Sequence, residues 1–441
     1  MDGPQDLTVP DTSRRRQESS RIPARRSRAE QSAARVVALC DALLSEQGEV
    51  SGARLAAYAL SAYQSLEPSA RELFFDRLAT DFAPDASAVD GAAARYRLDP
   101  STANLIRLQA AVEPPRQELF RRANMAPGGT AVLLDMRREL LKTLGAHPER
   151  AGIDADLIHL FRSWFNRGFL VLQRIDWRTP AVILERLIHY EAVHEIQGWR
   201  DLRRRLEGDR RCYAFFHPAL PDEPLVFIEV ALTRAMTATV QRLLDPDSPI
   251  GDATKASCAI FYSITNCQEG LRGVSFGNFL IKQVVDDLGR DLPRLKTFAT
   301  LSPIPGFCQW LDRKGHDRGR SPELDDLLTG VQTGSVPNVD TLSPSLRTEI
   351  TAHCVEYLLR ARADGAPVDS VARFHLANGA RLERLNWMGD PSKAGLRRSL
   401  GLMVNYVYRR ADVERNHEAY AKHGKVVASP RFGRPARRPA V

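Results

Sequence analysis

No apolar run in the sequence approaches the ~20 residues that a membrane-spanning helix needs. The six cysteines, at 40, 212, 258, 267, 308 and 354, include no C-x-x-C pair. That argues against a disulfide framework or a zinc ribbon and fits a reducing compartment. His189 and His194 lack the H-E-x-x-H spacing that puts two ligands on one helical face, so no metal is expected. Also missing are the G-x-G-x-x-G order of a dinucleotide fold, the Gly-Lys-Ser/Thr ending of a P-loop and the G-x-S-x-G elbow of a serine hydrolase. Glycine (28) and proline (27) are ordinary in number, which excludes collagen-like and globally disordered chains.

Targeting signals are not evident. The first thirty residues hold seven arginines but also Asp2, Asp6, Asp11, Glu18 and Glu30, with no apolar core. A transit peptide is poor in acids and a signal peptide has an apolar region, so neither fits. Arg438-Pro439-Ala440-Val441 is not a peroxisomal tripeptide. A cytoplasmic location is the expectation.

What is present is a chain of 441 residues, long enough for two or three domains at ~100–200 residues each. Its net charge of +8 suggests a nucleic-acid partner at first sight, but the excess is local. Lys422, Lys425, Arg431, Arg434, Arg437 and Arg438 supply six of those charges from residues 421–441, where there is no acid. A solvated, disordered tail is the plain reading of that stretch; contact with a polyanion or a membrane surface is the sharper one. The body is nearly neutral, so nucleic acid is not an expected partner.

Apolar residues recur at helical spacing in Val36, Val37, Leu39, Leu43 and Leu44, and again in Leu73, Phe74, Leu78 and Phe82. The pattern continues over 131–144 and 157–172, and no strand-like alternation interrupts it. Residues 33–200 therefore read as a bundle of about eight helices. Six arginines at 200, 203, 204, 205, 210 and 211 follow. They read either as a solvated helix face or as a patch for a phosphorylated ligand.

From there the pattern changes. Residues 212–217 and 225–232 are β-rich runs joined by a proline-bearing loop, which predicts a hairpin, and Thr233 is placed to cap a helix reaching Leu244. The apolar run 258–264 predicts a buried strand. A glycine-bearing loop, a helix over 279–288 and a strand over 297–301 complete a βαβ unit. Short helical signals follow at 322–328 and 346–362. Residues 371–376, Asn378-Gly379 and 381–387 read as a second hairpin with a type I′ turn.

Three places carry candidate chemistry. In Arg272-Gly273-Val274-Ser275-Phe276-Gly277-Asn278, glycines permit close backbone approach just before a helix, where unpaired N–H groups and the helix dipole favour a phosphate. A tight strand-to-helix turn also uses glycine. Ser302 ends a strand and is followed by Pro303-Ile304-Pro305-Gly306, which would hold its hydroxyl rigidly, as any sharp exit loop would. His375 lies in the predicted 371–376 strand, and Tyr406 and Tyr408, two apart, share one strand face.

Taken together, the runs 259–264, 277–282, Leu301-Ser302-Pro303-Ile304-Pro305-Gly306-Phe307, Asn386-Trp387-Met388 and 401–406 resemble the malonyl-CoA decarboxylase family. The similarity extends over residues 160–410, with a looser match before it. The resemblance implies an α+β multidomain chain: an N-terminal all-α helical bundle that mediates oligomerisation, then a GNAT-like α/β domain with a central mixed sheet. The expected boundaries are 1–32 for a disordered arm, 33–200 for the bundle, 201–420 for the catalytic domain and 421–441 for the tail.

The resemblance places the family's catalytic serine on Ser302 and its catalytic histidine on His375. It implies that the loop from Arg272 through Gly273, Val274, Ser275, Phe276 and Gly277 to Asn278 cradles coenzyme A, with Ser263 and Tyr408 lining the pocket. Animal relatives carry an acidic residue where Ser275 stands, so no carboxylate role is assigned there. The implied reaction converts malonyl-CoA to acetyl-CoA and CO2, with a homotetramer as the expected assembly. Loss of CO2 leaves an enolate that needs hydrogen-bond donors and then a proton at C2, a task suited to histidine. The thioester is its own electron sink, so no separate cofactor is expected. The rival readings are a GNAT-type acyltransferase and a non-catalytic acyl-CoA-binding regulator.

Overall fold

A computed structural model describes residues 27–46, 48–274, 280–314, 319–334, 342–363 and 365–433. The chain divides into two compact units at Pro115. The first contains α1 (Arg28–Ser45), α2 (Glu49–Gln64), α3 (Pro68–Thr80), α4 (Ala86–Leu98) and α5 (Thr102–Val112). Helix α1 starts inside the segment expected to be disordered because Ser27 and Glu30 form a reciprocal capping box, with bonds of 3.1 and 2.7 Å. Its buried face is Ala33, Val36, Val37, Cys40 and Leu43, the stripe that the periodicity marks.

The second unit continues with α6 (Pro115–Asn124), α7 (Gly129–Thr143) and α8 (Ala151–Trp164). Where a helix was expected to run on to Leu172, the chain instead forms strand β1 (Val171–Ile175), antiparallel to β2 (Arg210–Phe216). Only Ile175 of β1 is buried, so this edge strand lacks the alternation by which strands are recognised. Between these strands lie α9 (Ala181–Tyr190) and α10 (Trp199–Arg205).

The predicted hairpin is β2 paired with β3 (Val226–Thr233). No helix begins at Thr233: only α11 (Gln241–Leu244) forms. The intervening carbonyls have tertiary partners instead, Met236 O accepting from Arg384 and Thr237 O from Asn405. Strand β4 (Cys258–Asn266) pairs antiparallel with β3, and after α12 (Leu280–Asp291) strand β5 (Thr297–Thr300) returns parallel to β4. Four antiparallel strands, β1 to β4, and then a parallel one thus make the sheet mixed, as expected. Then come β6 (Ser302–Pro303), α13 (Phe307–Lys314), α14 (Pro322–Thr333), α15 (Pro344–Arg360) and the small pair β7 (Arg362–Ala363) and β8 (Ala366–Pro367).

The expected second hairpin is corrected. Its first arm is helix α16 (Ser370–Ala377), and only β9 (Arg381–Asn386) is a strand. Asp369 caps the helix by accepting from Ala372 N at 2.8 Å. Asn378-Gly379 ends it: Gly379 has φ +78°, and the N–H groups of Gly379 and Ala380 return to Leu376 O and His375 O. The Asn-Gly pair is thus a helix terminus and not a type I′ turn. After α17 (Lys393–Ser399), strand β10 (Met403–Val407) pairs with β5, β6 and β9 and closes a mixed eight-stranded sheet.

The tail is also shorter than expected. Helix α18 (Val413–His423) enters it, and Ser429 N donates to Leu382 O at 2.7 Å, which ties this stretch to β9. Residues 434–441 lie outside the described residues. No helix among the described residues is long and apolar enough to cross a membrane.

Candidate active site

Strands β4 and β5 pair only as far as Phe261 and Thr300. Beyond that point β4 runs on to Asn266, while the other chain turns at Ser302-Pro303 to pair with β10. The divergence opens a cavity of about 490 Å3, within the ~300–1,000 Å3 usual for small-ligand sites. Phe261, Ser263 and Ile264 line one side, Ser302 and Pro303 the other, and His375 with Asn378 the α16 side.

Ser302 and His375, 73 positions apart, meet here. Ser302 Oγ lies 3.0 Å from His375 Nε2 and donates to Thr300 Oγ1 at 2.8 Å. On the far side of the ring, Tyr408 Oη lies 2.7 Å from Nδ1. Ser302 has one proton and directs it to Thr300, so its oxygen accepts from Nε2–H; Nδ1 is then the acceptor of the Tyr408 hydroxyl. The network thereby assigns the histidine tautomer. The Tyr406 ring stacks on the imidazole at 4.5 Å. His375 is 3% exposed, and burial lowers its pKa to about 3, so it is neutral at physiological pH. Burial likewise pushes the Tyr408 hydroxyl well above the usual phenol range.

The other expected site residues divide. Ser263 lines the cavity, but its hydroxyl donates to the buried carboxylate of Glu191 at 2.7 and 2.9 Å. Glu191 also accepts from Thr265 Oγ1 and from the N–H groups of Val193 and His194, which folds residues 191–194 onto β4. Val274 reaches the cavity, whereas Arg272 and Gly273 are exposed at the end of the preceding turn, with Gly273 at φ +81°. Ser275, Phe276, Gly277 and Asn278 lie outside the described residues.

The arginines at 200–211 divide. Arg200 and Arg203 are exposed, as a solvated helix face would have them. Arg205 is 2% exposed and pairs with Asp201 and Glu229, while Arg204 and Arg210 share Asp209, so the charge of these three is spent inside the fold. Sequence reasoning passed over Thr300 and Glu191 and noted Tyr406 only as sharing a strand face with Tyr408. Thr300 was within reach, since residues two apart at a strand end face the same way; Glu191, 72 positions before Ser263, has no local signal.

Comparisons with known proteins give the family of the chain. A model of the malonyl-CoA decarboxylase C-terminal domain matches residues 168–437, and one of the N-terminal domain matches residues 82–165. The mitochondrial malonyl-CoA decarboxylase of Anser anser anser is 36% identical over 348 residues, covering 72% of this chain and 69% of that protein. The crystal structure of malonyl-CoA decarboxylase from Rhodopseudomonas palustris is similar with a TM-score of 0.85 and 48% identity, over 90% of this chain and 98% of that one. The Agrobacterium vitis structure gives 0.83 and 49% over the same shares. With the C-terminal-domain model matched over more than half its length, the chain belongs to the malonyl-CoA decarboxylase family.

Proposed function

We propose that this chain decarboxylates malonyl-CoA to acetyl-CoA and that Tyr408, His375 and Ser302 form the relay that protonates C2. Family membership supports the substrate and the carboxy-lyase reaction. The observation that carries the relay is Ser302 Oγ at 3.0 Å from a neutral, tautomer-fixed His375 on the cavity wall.

The steps balance. The C2–carboxyl bond breaks, CO2 leaves, and the electron pair enters the thioester as an enolate. C2 then takes the Ser302 proton, Oγ takes the Nε2 proton and Nδ1 takes the Tyr408 proton, which water replaces; one solvent proton is consumed. An enolate carbon is a far stronger base than a phenolate, so the transfer runs downhill even with Tyr408 buried. Because Ser302 occupies Nε2, delivery through the serine fits better than direct transfer from the ring. The largely apolar walls leave the malonyl carboxylate poorly solvated, which favours its departure. The thioester supplies the electron sink, and the chemistry calls for no metal.

Coenzyme A is proposed to lie along the Arg272–Asn278 loop, with Val274 reaching the cavity. A homo-oligomer assembled through the N-terminal helices is proposed as well, supported by the exposed apolar side chains of Leu98, Ile106 and Val112. A monomeric mass at micromolar concentration would overturn it.

The test is to mix the purified protein with malonyl-CoA and no acyl acceptor. CO2 and acetyl-CoA are expected in equal amounts. Ser302→Ala and His375→Asn should each lower turnover by about 10²–10⁴ with the fold intact, the range for a lost proton-transfer group. Normal turnover in either folded variant removes that residue from the relay.

A further inference from the structure

Ser302 and His375 sit on two of the least self-sufficient pieces of the fold. Strand β6 has two residues and α16 has eight, too few for a helix to hold its own geometry without tertiary contacts. A hydrogen bond at 3.0 Å between them requires that both pieces be fixed against each other.

One buried carboxylate lies between them. Asp369, 2% exposed, caps α16 by accepting from Ala372 N at 2.8 Å. On its other side Oδ2 accepts from Tyr357 Oη at 3.3 Å and lies 3.9 Å from where a Cβ would stand on Gly306, four residues after Ser302. Gly306 makes this approach possible, because a Cβ there would stand 2.4 Å from Tyr357 Oη. Tyr357 is fully buried and packs on Phe307, the next residue of the same segment, at 5.7 Å between ring centroids. Burial pushes the Asp369 carboxyl up, while the N–H groups and the tyrosine hydroxyl pull it back down.

We propose that Asp369 is a positioning residue for the decarboxylation: one carboxylate joins the loop leaving Ser302 to the helix carrying His375 and so keeps the pair at bonding distance. This rests on the Ser302–His375 reading above. Asp369 touches neither partner directly; its effect passes through backbone placement, and displacing a reacting group by 1 Å costs about 10²-fold in rate.

The experiment compares Asp369→Asn with the parent enzyme. Asparagine keeps one oxygen for Ala372 N but presents an amide donor where the Tyr357 hydroxyl needs an acceptor. The expected result is a kcat lowered about 10- to 100-fold, an unchanged KM for malonyl-CoA, and loss of the imidazole N–H proton signal that the bond to Ser302 produces. Ser343→Ala is the control: it removes the cap of α15, whose hydroxyl accepts from Leu346 N, and should lower Tm without lowering kcat. A folded Asp369→Asn enzyme with parental kcat overturns the proposal. If that variant does not fold, Gly306→Ala decides by the same readouts, since it forces Tyr357 off the carboxylate from the other side. Parental activity in Ser302→Ala or His375→Asn would instead defeat the underlying reading, which separates the two failures.

Discussion

The second unit holds two buried polar clusters of opposite kinds. In one, Arg204, Arg205 and Arg210 face Asp201, Asp209 and Glu229, all at most 7% exposed, as ion pairs in which burial pushes the Glu229 carboxyl up to about 8 against the pull of Arg205. In the other, Thr300, Ser302, His375 and Tyr408 are linked by neutral hydrogen bonds. The charged groups are held by partners whose removal strands a buried ion, so the arrangement is static. Each neutral group can donate and accept in turn, so a proton can pass along the row. Burial of both clusters is comparable; what separates scaffold from chemistry is that Ser302 and His375 line the cavity and none of the paired arginines or acids does.

The sharpest way to break this contrast is a pair of substitutions. His375→Asn should reduce turnover by roughly 10³ while leaving the fold intact. Arg205→Met should do the reverse, costing about 3–5 kcal/mol because Asp201 and Glu229 are left buried without their counter-charge, with turnover per folded molecule retained. Urea unfolding alongside a malonyl-CoA assay measures both. A folded, stable Arg205→Met enzyme without activity would show that the ion cluster takes part in the reaction. Tyr408→Phe comes next: it keeps the ring but removes the donor that fixes Nδ1, and turnover should fall by about 10². Unchanged turnover would end the relay at His375.

Legibility in the sequence follows the range of the interactions. The β2–β3 hairpin, strand β4 and helix α12 are visible because their burial patterns are local, as the helical spacing of Leu280, Ile281, Val284, Val285 and Leu288 shows. Strand β1 is not, because four of its five residues escape burial at a sheet edge. Residues 371–376 look like a strand only if Asp369 is ignored; its cap and the C-terminal glycine decide for a helix. The arginines at 200–211 announce charge, but of the partners of Arg205 only Asp201 lies within the run; Glu229 lies on β3, and pairing it requires the fold. Ser302 and His375 have no spacing that relates them, and only the family resemblance drew them together.

The smallest effect is a stability difference in acid, and it separates the clusters by pH. His375 has an ordinary pKa of 6.5 when unfolded and about 3 when buried. Above pH 6.5 it is neutral in both states. As pH falls below 6.5 the unfolded chain binds a proton that the folded chain refuses, so stability declines until about pH 3, where the native histidine also protonates. At pH 5 this amounts to about 2 kcal/mol. The buried His194, lowered to about 4, adds a similar decline over a narrower window. Asp209 behaves differently. Burial opposes its ionisation, but Arg204, Arg210 and the N–H of Gly251 more than offset this and hold its pKa below the usual 3.8. Its stabilisation is therefore intact above pH 3.8 and is lost only as pH falls through the lowered value. Melting temperature measured against pH should consequently flatten between 6.5 and about 3 in His375→Asn. Asp209→Asn should lower the curve at neutral pH and leave its slope between 6.5 and about 4 as in the parent. If His375→Asn has the parental slope, the folded imidazole titrates like the unfolded one, and burial is not what holds it neutral.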